Sequence, residues 1–376
     1  MKIVIDSRLY GPGGTGIGKY TENLIENLQK IDRDNKYYIL LRKNNWYLFD
    51  VKTRNFEKVM VDAPFYSLKE QTIIPAVLMK IKPDLVHFTH FNVPLLYSGK
   101  FVVTIHDLTP KEFTGQKSTT RLLPIYFLKR AGYRITLGQT IRKAKKVIVP
   151  SLFVKKKLLE NFSTAKGKTT VIYEGVDEYP LKETSGKIPA GKVKHILAKY
   201  GIKTPFILYV GSTHPHKNLD TLVQAMGYLE KKYRLVLVGE RNIFLERVLK
   251  IAKAVGIEDR IITTGFVPNE ELPVLYKNAQ AFVFPSLSEG FGLPGLEAMA
   301  AGCPVLASDI AVFKEVYGDA AVYFNPKKSE DIAKNISLLT NNSKLSSDFV
   351  RKGFDQSKKY SWRQMAEATL GIYKSL

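Results

Sequence analysis

Phe282 to Asp309 reads FVFPSLSEGFGLPGLEAMAAGCPVLASD, and the fold class follows from this stretch. A strand over Ala281–Pro285 runs into a glycine-rich loop that carries Glu289. Pro294 starts a helix, Gly302 stops it, and Val305–Ser308 forms the next strand. The first N–H groups of the Pro294–Ala301 helix lack intrahelical partners and the helix dipole makes that end positive, so it suits a phosphate. Gly290, Gly292 and Gly295 let a ligand approach the main chain closely. Seven residues separate Glu289 from Glu297, which puts one carboxylate in the loop and the other just inside the helix. Two acceptor-only groups beside an anion site suit hydroxyls on either side of a diphosphate, as in a nucleotide sugar. A lone pair of this kind also reads as a helix start with a favourable acidic first turn.

The neighbouring residues decide between these readings. EGFGLPGLEAMAAGCPV closely resembles the signature of retaining glycosyltransferases of the GT-B fold, family 4. The resemblance implies an α/β protein of two doubly wound Rossmann-like domains facing across a cleft. It places Glu289 by the transferred sugar and Glu297 on the nucleotide ribose, with the backbone of Phe291, Gly292, Leu293 and Pro294 holding sugar hydroxyls and phosphate.

At 376 residues, 45% hydrophobic and 24% charged, the chain has the length of two domains with full cores. MKIVID at the N-terminus is an apolar strand without the long apolar core of a signal peptide, and no apolar run reaches membrane-spanning length, so a cytoplasmic protein is expected. The single cysteine, Cys303, rules out an intramolecular disulfide and reads as a packed small residue.

The net charge of +22 is unevenly placed: 13 Lys or Arg lie between Lys111 and Lys157 against one acid, Glu112. Leu122, Leu123, Ile125, Tyr126, Phe127, Leu128 and Tyr133 interleave there. A basic helix with an apolar face fits this pattern, suited to anionic lipid and to peripheral binding at the inner face of the cell membrane. Nucleic acid is the other polyanion of suitable charge, and a solvated basic face needs no partner.

Toward the N-terminus, Met1–Asp6 is a strand and Gly11, Gly13 and Gly16 match the spacing of a dinucleotide fingerprint. That fingerprint should begin immediately after its strand, whereas Ser7 to Tyr10 intervene here, which weighs against an NAD(P)-linked oxidoreductase. In the resembled family this loop reaches donor phosphate or acceptor, so Gly13 and Gly14 are candidates; a structural turn is the other reading. Asp32-Arg33-Asp34 is a D-x-D in the polar link between helix and strand, where turn-forming Asp is expected rather than a metal site. His87 and His90 lack a third ligand in the sequence. Phe101–Ile105 delivers His106-Asp107-Leu108 at its carboxyl end, where open α/β sheets bind ligands. The resemblance places His106 against the donor sugar, where imidazole or main-chain carbonyl stabilises positive charge on the anomeric carbon.

Residues 178–203 read as a linker, giving domains over 1–180 and 181–358 with the 359–376 segment returning to the first. In the second domain Gly211 and Lys217 match the family loop whose lysine meets the donor diphosphate. Many members carry Arg immediately after that glycine, and this chain has Ser212; His214 or His216 replaces that charge only weakly at neutral pH. Gly239, Phe266 and Val267 match positions that hold the nucleotide base. Ser361 caps a last helix with Trp362, Met365, Ala366, Leu370 and Tyr373 on one face.

The resemblance thus implies transfer of a hexose from a nucleotide diphosphate sugar, with retention, to a saccharide or lipid-linked acceptor. It requires neither metal nor cofactor, because Lys217 and the helix start neutralise the leaving diphosphate. EGFGLP with GTGIGKYTENL most resembles mannosyltransferases of surface-polysaccharide assembly, which favours GDP-mannose over a UDP-glucose-type donor. A non-catalytic sugar-nucleotide binder would have no need of Glu289, Glu297, Lys217 and His106 together, and no nucleic-acid partner is expected.

Overall fold

The computed structural model describes residues 1–109, 123–176 and 189–376. Lys111, Lys117 and Arg121 of the basic segment, and residues 178–188 of the expected linker, lie outside them. The chain divides into two compact units, Met1–Gly175 with Ser361–Leu376, and Val176–Tyr360.

Among the described residues, the first unit holds seven strands: β1 (Lys2–Asp6), β2 (Lys36–Leu41), β3 (Phe56–Met60), β4 (Leu85–Phe88), β5 (Phe101–Thr104), β6 (Lys146–Val149) and β7 (Thr169–Val171). All pair in parallel in the order β3-β2-β1-β4-β5-β6-β7. The second holds β8 (Phe206–Val210), β9 (Arg234–Val238), β10 (Ile261–Gly265), β11 (Ala281–Phe284), β12 (Val305–Ser308) and β13 (Ala321–Phe324), in the order β10-β9-β8-β11-β12-β13. Helices cover both faces of such sheets, so the inner strands are buried throughout: every residue of LVHF, FVVT and AFVF is buried.

Each order reverses direction once, between β1 and β4 in the first unit and between β8 and β11 in the second. These switch points open a crevice beyond the carboxyl ends of the strands, the place where α/β sheets bind ligands. Glu289 follows β11 and Lys217 follows β8, so the second unit's topology brings its two main candidate charges to the same crevice.

The C-terminal helix, Trp362–Lys374, belongs to the first unit and packs on the Thr15–Ile31 helix. Ser361 caps it by accepting the Gln364 N–H, and its buried face is Trp362, Met365, Ala366, Thr369, Leu370 and Tyr373. A buried chain of hydroxyls and imidazole fixes it: Tyr373 Oη lies 2.5 Å from His87 Nδ1, His87 Nε2 lies 2.8 Å from Thr104 Oγ1, and that hydroxyl meets Tyr20 Oη at 3.0 Å. His87 is therefore a core residue, with burial pushing its pKa down to about 3. Asp32 likewise serves the link before β2, accepting from Tyr37 Oη at 2.6 Å, Asn35 Nδ2 at 2.7 Å and Asp34 N at 3.0 Å.

Of the apolar residues read in the basic segment, Leu122 and the side chains of Leu123, Ile125, Tyr126, Phe127 and Leu128 lie outside the described residues. The Leu123–Lys143 backbone is helical, but in its described half Leu137 and Ile141 lie in the first unit's core with Tyr133 packed against it.

Candidate active site

In the second unit the loops beyond β8 and β11 are stitched together by backbone and side-chain bonds. Leu287 N–H donates to the His216 carbonyl at 2.8 Å. Asn218, held left-handed at φ 58°, donates through Nδ2 to the carbonyls of Pro285 at 3.1 Å and Pro326 at 2.7 Å. An Asn directly before the Leu219–Met226 helix is the sequence signal for this position, since Asn tolerates that conformation.

This frame sets Lys217 Nζ 2.6 Å from Glu289 Oε1, with the two side chains only 15% and 12% exposed. Lys217 also lies 5.6 Å from the centre of the Phe284 ring. A short, mostly buried charge-assisted bond fixes both groups and keeps their charges undiluted by solvent. Burial and Lys217 depress the pKa of both neighbouring histidines, His216 to about 3, so neither carries the charge that Arg would supply at position 212.

The helix after Glu289 runs over Leu293–Ala300, with Gly292 as its N-cap at φ 105°. Its glycines serve packing: a Cβ on Gly292 or Gly295 would meet the Tyr317 hydroxyl at 2.4 or 2.3 Å. That hydroxyl donates to the Gly292 carbonyl at 2.6 Å and so fixes the helix start from inside. Glu297 is 5% exposed and accepts from Tyr276 Oη at 3.1 Å. Phe291 and Leu293 are buried as well, leaving the loop backbone as what this segment offers.

Gly211, Gly239 and Gly265 stand at the carboxyl ends of three neighbouring strands. Gly211 N–H donates to the Val238 carbonyl and Gly239 N–H to the Gly265 carbonyl, at 3.0 and 3.1 Å. A Cβ on Gly239 would sit 2.2 Å from the Gly211 carbonyl oxygen, so only glycine fits there. Phe266 follows and is 57% exposed, whereas Val267 is buried.

The first unit carries the remaining candidates. His106 Nε2 lies 3.1 Å from the Thr89 carbonyl and Nδ1 lies 3.0 Å from Glu174 Oε1. The carbonyl only accepts, so Nε2 is the donor to it, and both ring nitrogens are engaged. In the glycine loop the two candidates differ. Gly13 has open space around its Cα, whereas a Cβ on Gly14 would lie 1.8 Å from the Leu9 carbonyl, and Gly14 N–H is already bonded to the Gly11 carbonyl at 3.0 Å. Gly14 thus holds the loop together.

The sequence also gave no warning of Arg8. Its side chain is fully buried, with Nη2 2.7 Å from both Asp6 Oδ2 and Glu70 Oε1. Arg8 and Glu70 are 62 residues apart, and no local pattern marks the pair. Among the described residues, no three His, Cys, Asp or Glu side chains are grouped as a metal ion would need.

Two doubly wound parallel-sheet units in one chain, the second with a lysine–glutamate pair at its switch point, define the architecture of the GT-B glycosyltransferases. Residues 14–178 match the family model described as Glycosyltransferase Family 4, and residues 194–356 match Glycosyl transferases group 1. The chain is 31% identical over 306 residues to O-antigen chain mannosyltransferase B of Escherichia coli, covering 80% of this chain and 76% of that protein. It is 29% identical over 297 residues to O-antigen chain mannosyltransferase RfbU of Salmonella typhimurium, covering 78% and 76%. The structure superposes on Anabaena Alr3699/HepE, solved in complex with UDP and glucose, with a TM-score of 0.78 over 100% of both chains at 18% identity. The chain belongs to the group 1, family 4 glycosyltransferases, and it is a glycosyltransferase.

Proposed function

We propose that the protein transfers mannose from GDP-mannose, with retention at the anomeric carbon, to a saccharide or lipid-linked acceptor in surface-polysaccharide assembly. The Lys217–Glu289 pair at the second unit's switch point carries this reading. An arriving diphosphate competes with Glu289 for the Lys217 ammonium, and taking that ammonium frees the carboxylate beside the sugar. The first N–H groups of the Leu293–Ala300 helix meet the phosphate, and Glu297, oriented by Tyr276, takes the ribose. Exposed Phe266 offers a ring for the base, and the main chain at Gly211, Gly239 and Val267 borders it. In the first unit His106 has both ring nitrogens engaged, which leaves its main-chain carbonyl for positive charge at the anomeric carbon, and Gly13 leaves room for the donor's phosphate. Lys217 and the helix start neutralise the leaving group without a metal.

Mannose is favoured because both relatives are mannosyltransferases of O-antigen chains. UDP-glucose is the second reading, supported by UDP and glucose in the HepE complex. Titration calorimetry against GDP, UDP, ADP and their sugar conjugates without added metal separates them. Selective binding of GDP and GDP-mannose is expected; selective UDP binding would move the assignment to the second donor, and no nucleotide binding would remove the catalytic reading of the site. NMR of the product's anomeric proton tests retention.

Among the described residues no helix is long and apolar enough to cross a membrane. Peripheral binding through the basic 111–157 segment is proposed from its charge. Vesicle sedimentation should then require anionic lipid and weaken with salt, and equal binding to neutral vesicles would refute it.

A further inference from the structure

Three elements of the first unit converge on the ring of His106, which follows β5. Nε2 donates to the Thr89 carbonyl at 3.1 Å, just past β4, and Nδ1 lies 3.0 Å from Glu174 Oε1, just past β7. Tyr20 of the Thr15–Ile31 helix stands edge-on to the ring at 4.8 Å, and its own hydroxyl is tied to Thr104 Oγ1 at 3.0 Å. The ring is thus engaged at both nitrogens and packed from the helix side.

Glu174 reaches furthest to join this set. The sheet order puts β6 between β5, which delivers His106, and β7, which delivers Glu174. Neighbouring strands lie about 4.8 Å apart, so β5 and β7 are roughly 10 Å apart and a long side chain is needed to bridge them. The Glu174 side chain is 6% exposed, and among the described residues His106 is the one hydrogen-bond partner of its carboxylate. Burying a carboxylate costs free energy that one bond to an imidazole offsets only in part, so the use of Glu174 lies in the geometry it fixes.

Glu174 is itself held from behind. The chain leaves the first unit after Gly175 and re-enters it at Ser361. A Cβ on Gly175 would sit 2.1 Å from the Trp362 backbone nitrogen and 2.5 Å from the Ser361 carbonyl carbon, so the main chain beside Glu174 lies directly on the start of the C-terminal helix. Backbone against backbone has no rotamer to yield. The place of the returning segment therefore sets that of Glu174, and Glu174 sets that of the His106 ring.

We propose that Glu174 is the positioning residue of His106, and that it passes the placement of the returning C-terminal segment to His106. It acts through its length and its hydrogen bond. The effect on turnover rests on the role given to His106 above; the placement of the ring does not. A reacting group misplaced by about 1 Å can lose about a hundredfold in rate, so a loss of at least tenfold is expected without Glu174.

Hydrolysis of GDP-mannose and UDP-glucose, with water as acceptor, reads turnover, and nitrogen NMR of the imidazoles reads the ring, the His106 signal being the one missing from His106→Ala. Glu174→Ala should lower kcat at least tenfold with the donor KM within about twofold, and should bring the His106 Nε2 proton into faster exchange with water. Glu174→Gln, whose amide can donate to Nδ1, should keep both kcat and the signal. Glu174→Asp, one methylene too short, should behave like Glu174→Ala, and the Gln and Asp proteins carry the comparison if the Ala protein does not fold. Gly175→Ala should disturb the His106 signal in the unaltered protein and add nothing in Glu174→Ala. An unchanged His106 signal in Glu174→Ala and Glu174→Asp would overturn the proposal, as would losses in Glu174→Gln equal to those in Glu174→Asp. Additive effects of Gly175→Ala and Glu174→Ala would overturn the link to the C-terminal segment. Full turnover by His106→Ala would remove His106, and with it Glu174, from the reaction. Failure of the unaltered protein to hydrolyse either donor would count against the donor assignment instead, and the ring signal then decides for or against Glu174.

Discussion

Replacing Glu289 by Gln should tighten nucleoside diphosphate binding while abolishing turnover. In the structure Lys217 Nζ is 2.6 Å from Glu289 Oε1, and both side chains are mostly buried. A diphosphate that needs the ammonium must break that bond and sit beside the carboxylate's negative charge. Exposed pairs contribute at most about 1 kcal/mol and charge-assisted hydrogen bonds about 1.5–3. A pair that is 12–15% exposed lies between, so releasing Lys217 should gain about 1–2 kcal/mol, roughly 5- to 30-fold in Kd. Lys217→Ala should lose about 1.5–3 kcal/mol of diphosphate affinity. The double variant should bind like Lys217→Ala alone, because the gain from Glu289→Gln passes through the lysine. Calorimetric titration of GDP and UDP into all four proteins closes the double-mutant cycle. Weaker binding by Glu289→Gln, or independent additive effects, would refute the competition.

Three other expectations follow from the packing. Arg8→Met leaves the buried Asp6 and Glu70 carboxylates uncompensated and should cost about 3–5 kcal/mol; for a unit of this size that lowers the melting temperature by roughly 6–20 °C in scanning calorimetry, and a shift below about 2 °C would contradict it. Gly239→Ala drives a Cβ against the Gly211 carbonyl at 2.2 Å, a backbone atom with no rotamer to escape into. It should destabilise the second unit by about 1–3 kcal/mol and weaken nucleotide binding, and normal affinity with normal stability would show that the loops yield. His87 has its pKa depressed to about 3 when folded, against about 6.5 unfolded. On acidification the unfolded chain takes up the proton first, so stability falls as pH drops through 6.5; between pH 7 and 5.5 His87 alone should cost about 1 kcal/mol. A His87→Gln variant should lose that part of the slope, and identical pH dependence in both proteins would exclude it.

The parts legible before the structure were those with short-range causes. Ala281–Phe284 and Val305–Ser308 match the expected strands to within a residue, and the intervening helix starts one residue earlier than Pro294 implies. Ser361 caps its helix as read, because a cap depends on the next three residues. The sequence from Asn44 to Lys80 is harder to read. There β3 has an exposed Glu57, and the Leu68–Ile81 helix contains Pro75, so neither period is clean. Glu70 stands in this part of the chain.

The resemblance carried by EGFGLPGLEAMAAGCPV and by the Gly211–Lys217 loop made Glu289, Glu297 and Lys217 candidates, whereas the spacing of the two glutamates by itself fitted a plain helix start as well. Tertiary structure alone decided which partners they meet. It set Lys217 against Glu289 across 72 residues, spent Gly292 and Gly295 on Tyr317, joined Glu174 to His106, and enclosed Arg8 between Asp6 and Glu70. A hydrophobic period repeats along the chain and can be read from it. A buried charge pair leaves no period, because its energy depends on desolvation and distance, which exist only once the strands are in register.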